Sequence, residues 1–188
     1  MGRTFEEMLV EQCAPTLVGI KPASLFRYQA ADRLSSIQTA ARWARELAPF
    51  GLTLRILRVC PETGAVLLYL YRKGEVCRLL AEPGIRAFLE ESGYRTEKGC
   101  PGVLRQLSQR LCRGTEFPHE IGVVLGYPLE DVVGFIRHRG RDFTCSGCWK
   151  CYGDPEAARR RFASYRRCTA YCLQQLRQGV AVTRMIAA

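Results

Sequence analysis

The densest chemistry in the sequence is the run Cys145-Ser-Gly-Cys148-Trp-Lys-Cys151. Two-residue gaps let successive thiolates converge on one metal ion or cluster, provided the backbone turns, and Ser146-Gly147 supplies a turn between the first pair. Cys168 and Cys172 lie four apart in a helical stretch, hence on one face, and offer further ligands. The set Cys145, Cys148, Cys151, Cys168 and Cys172 is thus a candidate site for zinc or an iron–sulfur cluster. The plainer alternative is that Phe162, Tyr165, Cys168, Cys172 and Leu176 form an apolar helix stripe. The same run can act as a redox dithiol, since C-x-x-C thiols exchange disulfides, with Lys150 and nearby arginines favouring thiolate and Trp149 shielding a ligand. A thioredoxin-like motif, however, opens a helix after a strand early in a βαβ unit, and here Gly153-Asp154-Pro155 intervenes before the helix.

His119 and Glu120 are adjacent and can serve acid–base chemistry or metal ligation; contacts at a helix start are the simpler reading. The stretch from Glu120 to Ile136 has the spacing of a helix-turn-helix, yet its second helix opens with Leu129-Glu130-Asp131, and carboxylates there repel a phosphate backbone. Nucleic acid is therefore a weakly supported partner. Fingerprints of P-loop, dinucleotide-binding and serine-hydrolase sites do not occur.

These residues must be carried by a domain of ordinary composition. The 188 residues are 47% hydrophobic and 24% charged, which excludes a disordered or fibrous chain. The longest apolar run, Ala65 to Tyr71, is too short to cross a bilayer, and no membrane association is expected. The N-terminus reads as a helix start and not as an export leader, so a cytoplasmic location with reduced thiols is expected for the ten cysteines. Charge is uneven. Of 28 basic and 18 acidic residues, 11 and 3 fall in residues 137–188, and no acid follows Glu156. A basic C-terminal quarter attracts acidic proteins, nucleic acid or anionic ligands.

Periodicity predicts a helix over Thr4–Gln12 and a short buried strand over Thr16–Ile20. A second helix is predicted from near Ala30 to Leu47, and a β-hairpin from Leu52–Cys60 and Ala65–Arg72. Helix follows over Lys73–Glu91, broken at Pro83-Gly84, and over Pro101–Arg113, closed by Gly114. Two short helices are predicted at Pro118–Leu125 and Leu129–Arg137, and an irregular or extended stretch at Asp142–Tyr152. A long helix is capped by Asp154, and Val180–Ile186 is a closing strand. The expected architecture is one α/β or α+β domain over residues 1–188, with a small mixed sheet, a central β-hairpin, several packed helices and a long C-terminal helix.

Taken together, four segments resemble a bacterial family, domain of unknown function three-seven-nine-three, common in anaerobic Firmicutes. They are Cys13 to Pro22, Phe117 to Val133, Cys148-Trp-Lys-Cys-Tyr-Gly-Asp154, and the helix from Tyr165 to Tyr171. The resemblance covers nearly the whole chain. It implies a cytoplasmic bacterial protein and supplies no established activity; the occurrence of such proteins beside flavodoxin and iron-transport genes favours a metal or redox role, with a flavodoxin-like or other acidic protein as the expected partner. Cys13, Lys21, His119, Glu120, Cys148, Trp149, Lys150 and Asp154 match the family pattern, whereas Cys151 stands where the family usually has an apolar residue. The expected site joins Cys13, His119-Glu120 and the Cys145–Cys151 run. In it Cys13 or Cys148 is the thiolate, His119 the base or ligand, and Lys21 or Lys150 an anion-binding cation. The competing expectation is a non-enzymatic binding module that uses the basic C-terminal helix.

Overall fold

A computed structural model describes residues 3–113 and 117–187. In chain order the elements are α1 (Phe5–Leu17), β1 (Ala23–Tyr28), α2 (Arg33–Leu47), β2 (Leu52–Val59), β3 (Val66–Arg72), α3 (Lys73–Ala81), α4 (Pro83–Glu91), α5 (Gly99–Arg113), α6 (Ile121–Val124), α7 (Leu129–Arg137), β4 (Cys145–Ser146), β5 (Lys150–Cys151) and α8 (Pro155–Arg177). The fold class is mixed α/β as expected, and every strand pair is antiparallel. The chain forms two compact units, residues 1–76 with 168–188, and residues 77–167. No described helix is long and apolar enough to cross a membrane.

In the first unit the hairpin β2–β3 accepts β1 on its open side, giving the order β1-β3-β2. The central strand β3 buries Val66, Leu68, Tyr69, Leu70 and Tyr71, which explains its unbroken apolar run. β1 follows Pro22 and alternates Ser and Arg with apolar residues, so its strand signal is weak and its pairing with β3 makes it a strand. Phe5 holds α1 to this core, its ring stacked on Trp43 at 5.5 Å and edge-on to Tyr28 at 4.8 Å.

Two predicted boundaries fail here for one physical reason. Thr4 and Glu7 form a capping box that starts α1, but the helix does not stop before Pro15; it runs on to Leu17. Cys13, Ala14 and Leu17 are fully buried, and that burial outweighs the proline's missing N–H. The strand expected at Thr16–Ile20 is therefore helix end and turn. The turn closes at Gly19, with φ of 83°, and Ile20 and Lys21 N–H donate to the Pro15 carbonyl. Likewise the closing strand expected at Val180–Ile186 is a 3₁₀ turn over Val182–Met185 that buries Val182.

Arg72 closes the end of α1. Its Nε donates to Thr16 O at 2.9 Å, and its Nη2 to Leu17 O at 2.7 Å and Ala187 O at 3.1 Å. It thus adds a charged donor to the last carbonyls of α1, which the N–H groups of Gly19 and Ala187 also reach. Arg72→Met keeps the stem and removes these bonds, and is expected to cost about 2–3 kcal/mol. Urea denaturation checks this; a loss below about 0.5 kcal/mol, the range of ordinary surface changes, contradicts the clamp.

In the second unit α4 buries Ile85 and Leu89, and α5 buries Val103, Leu104, Leu107 and Leu111. Gly114, the predicted stop of α5, lies outside the described residues. The Asp142–Tyr152 stretch, expected to be irregular or extended, makes the two-stranded hairpin β4–β5, with Cys145 opposite Cys151 and Ser146 opposite Lys150.

Candidate functional site

The cysteine hairpin is held by a carboxylate from another element. Asp131 lies in the first turn of α7 and is only 3% exposed. Its Oδ2 accepts from Trp149 Nε1 at 2.7 Å, and its Oδ1 from the backbone N–H of Tyr152 at 2.6 Å and of Gly153 at 2.9 Å. Three donors thus converge on one buried side chain, the arrangement that keeps a buried carboxylate satisfied. The hairpin is also tied along its strands: Thr144 N–H and Oγ1 both donate to the Cys151 carbonyl.

Trp149 fills the space beneath the hairpin. Tyr127 stacks on it at 4.8 Å, Phe162 meets it edge-on at 4.5 Å, and Tyr165 lies 6.5 Å away. The Phe162 ring presses on Gly147, where an added Cβ would come within 2.8 Å of Cγ and closer still to the ring edge. Glycine at this turn is therefore required by close approach of an aromatic ring. Tyr127 donates weakly to the Cys148 carbonyl at 3.5 Å; burial pushes its phenol up to about 12, with Cys148 and Tyr165 acting the same way.

The three hairpin cysteines have different surroundings. Cys148 is exposed at the turn. Cys145 is half-buried and its thiol faces the Pro155 carbonyl at 3.8 Å. Cys151 is buried, with its thiol facing the Asp154 carbonyl at 3.6 Å. Burial raises the Cys151 thiol, and the Asp131 carboxylate and Cys145 push the same way against the Thr144 hydrogen bond. Two thiols aimed at backbone carbonyls and a third turned to solvent do not fit a tetrahedral thiolate site. Among the described residues no group of three or more His, Cys, Asp or Glu is gathered to hold a metal ion.

The other predicted residues fall in separate places. Cys13 belongs to the first unit and is fully buried; burial raises its thiol strongly, against the opposing Lys21 charge and Ser24 hydrogen bond. That is the setting of an inert core cysteine. Cys168 and Cys172 also pack into the first unit's core on one face of α8, with burial pushing the Cys168 thiol up to about 12. Leu176 of the expected apolar stripe packs with them, whereas Phe162 and Tyr165 pack with Trp149 in the second unit. His119 and Glu120 are adjacent but face different surroundings. Glu120 accepts from Arg110 Nη1 at 2.7 Å and Tyr94 O–H at 2.9 Å, a network that fastens the start of α6. His119 is exposed, between the rings of Phe117 and Phe135. Asp154 caps α8, accepting from the N–H of Ala157 and Glu156, and these bonds lower its carboxyl below the usual range. Lys150 donates to the Gly140 carbonyl at 2.7 Å.

Sequence reasoning overlooked Asp131. It read Glu130-Asp131 only as an acidic helix start, and the helix-turn-helix reading set that turn against phosphates. Instead Asp131 faces the hairpin, and α6, the helix preceding it, is only four residues long. Nothing in the sequence marked it, since the groups it holds lie 18 to 22 residues further along the chain.

No curated protein and no solved structure matches the chain. A family model does match, over residues 9–186, and it takes in all the segments whose pattern suggested it. With the cysteine hairpin, its carboxylate clasp and the Phe117–Val133 segment all inside that match, the chain belongs to the family described as protein of unknown function DUF3793.

Proposed function

We propose that the chain is a thiol-based redox protein whose working part is the Cys145–Cys151 hairpin. The observation that carries the reading is one solvent-facing thiol, Cys148, at the turn of a hairpin pinned by Asp131, with the half-buried thiol of Cys145 three positions before it. C-x-x-C is a spacing at which thiols exchange disulfides, and a backbone already fixed there lowers the ordering cost of closing one. Cys151 is the less suitable partner, since burial and the nearby Asp131 carboxylate disfavour its thiolate.

The substrate class is a disulfide, R–S–S–R′. Deprotonated Cys148 attacks one sulfur, forming Cys148–S–S–R and releasing R′S⁻, which takes up a proton. Cys145, losing its proton to solvent, then attacks the Cys148 sulfur and releases RS⁻, which is protonated in turn. The two protein thiols have lost two electrons and two protons, and the substrate has become RSH and R′SH. Lys150 offers a positive charge near the turn for an anionic substrate.

Anaerobic reaction of the native chain with dithiodipyridine, followed by peptide mapping, tests the scheme. The expected product is a Cys145–Cys148 disulfide with release of two pyridinethiones from the hairpin. Cys145→Ser is expected to stop at a Cys148 mixed disulfide with one release. Separate pyridyl adducts on Cys145 and Cys148 of the parent, or an unmodified hairpin, would overturn the reading.

A further inference from the structure

The second unit carries a surface of exposed rings and cations of which the thiol chemistry uses only the Lys150 ammonium. Phe117 is 48% exposed and Phe143 41%. Between them lie the exposed His119 imidazole, 6.0 Å from Phe117 and 4.8 Å from the half-buried Phe135 ring. The Lys150 ammonium sits 4.9 Å from the Phe143 ring and 5.9 Å from Phe135, fixed there by its bond to the Gly140 carbonyl. Gly140 itself lies against the Phe135 ring, where an added Cβ would come within 3.1 Å.

The segment crossing this surface is Arg137-His-Arg-Gly-Arg-Asp-Phe143. Arg137, Arg139 and Arg141 are exposed, and no carboxylate pairs with them among the described residues. Asp142, the one acid between residues 137 and 153, lies 3.4 Å from the His138 ring nitrogen. The segment is also held in an unusual conformation. Arg139 and Asp142 have φ of 50° and 56°, left-handed backbone that non-glycine residues keep only where the surroundings impose it.

We infer that this surface, formed by Phe117, His119, Phe135, Phe143 and the Arg137–Arg141 cations, binds single-stranded nucleic acid. Both halves of the surface are used by such a strand. Unpaired bases stack on phenyl faces, and phosphates meet unpaired arginines. An acidic peptide satisfies the cations and leaves the ring faces in water. A duplex buries the base faces that the rings would engage. The surface is distinct from the helix-turn-helix reading, since it uses the end of α7 and the loop after it and not the acidic start of that helix.

The test is fluorescence anisotropy of the full chain with a labelled oligothymidylate of about 12 nucleotides, a length within the usual site range. Binding is expected to weaken linearly in log–log form as salt rises. At fixed salt, Phe117→Ala and Phe143→Ala are each expected to weaken binding roughly tenfold. Arg139→Gln and Arg141→Gln are each expected to lower the salt slope by about 1. All four positions are exposed, and thermal melting of each variant checks that it remains folded. Unlabelled duplex and polyglutamate are expected to compete poorly. Binding by both phenylalanine variants as tight as by the parent would overturn the inference, assigning the affinity to general positive charge. Polyglutamate competing as well as oligothymidylate would overturn it in favour of an acidic protein partner.

Discussion

Asp131→Ala is expected to release the cysteine hairpin while leaving the first unit folded. The substitution strands three buried donors at once, the Trp149 indole N–H and the backbone N–H of Tyr152 and Gly153. Each donor left unsatisfied costs about 1–3 kcal/mol, and relaxation of the hairpin toward water limits the total to about 3–4 kcal/mol. Through the factor of ten per 1.4 kcal/mol, opening of that size should speed alkylation of buried Cys151 by at least 100-fold, an order-of-magnitude figure. Cys13 serves as the internal control, since it is fully buried in the first unit. Asp131→Asn isolates the acceptor geometry. One amide oxygen cannot stand in for both carboxylate oxygens, so about half the effect is expected to remain. Cys151 labelling at the parent rate in Asp131→Ala would contradict the clasp.

Trp149→Ala should have an effect of similar size for a different reason. It removes a large side chain packed by Tyr127, Phe162 and Tyr165, and large-to-small changes at such aromatic positions cost about 3–5 kcal/mol. It also leaves one oxygen of Asp131 without its donor. The two residues touch, so their effects are expected to fall short of additivity by about 1–3 kcal/mol in a double-mutant cycle. Hydrogen exchange resolved along the chain provides the readout, with protection lost over residues 144–153 and kept in β2 and β3. Loss of protection in both units alike would show that Trp149 supports the whole molecule and not the hairpin in particular.

Elements with a local cause were legible in the sequence. The hairpin β2–β3 announced itself through two apolar runs around a turn, and α8 through Asp154 before Pro155, which is how both occur. Elements whose cause is distant were not. The extension of α1 through Pro15 depends on core burial of Cys13 and Leu17, and β1 depends on the edge that β3 offers. At the site, the cysteine run and Trp149 stood out by type and spacing. Their different exposures did not, because these follow from which strand position faces α8 and which forms the turn. Asp131 was invisible as a partner since it lies 18 residues from Trp149 and owes its role to tertiary structure alone. The expectation for His119 and Glu120 erred in treating neighbours in sequence as partners in chemistry. Arg110 and Tyr94 claim Glu120, and aromatic rings surround His119.

The redox reading is tested most directly by equilibrating the anaerobically purified chain in glutathione buffers of graded ratio, then mapping disulfides and measuring metal on the same sample. The account predicts a Cys145–Cys148 disulfide that forms and reverses with the ratio, while Cys13 and Cys172 stay reduced behind their buried surfaces. Hairpin thiols that remain reduced at every ratio, or stoichiometric zinc or iron held by Cys145, Cys148 and Cys151, would contradict it.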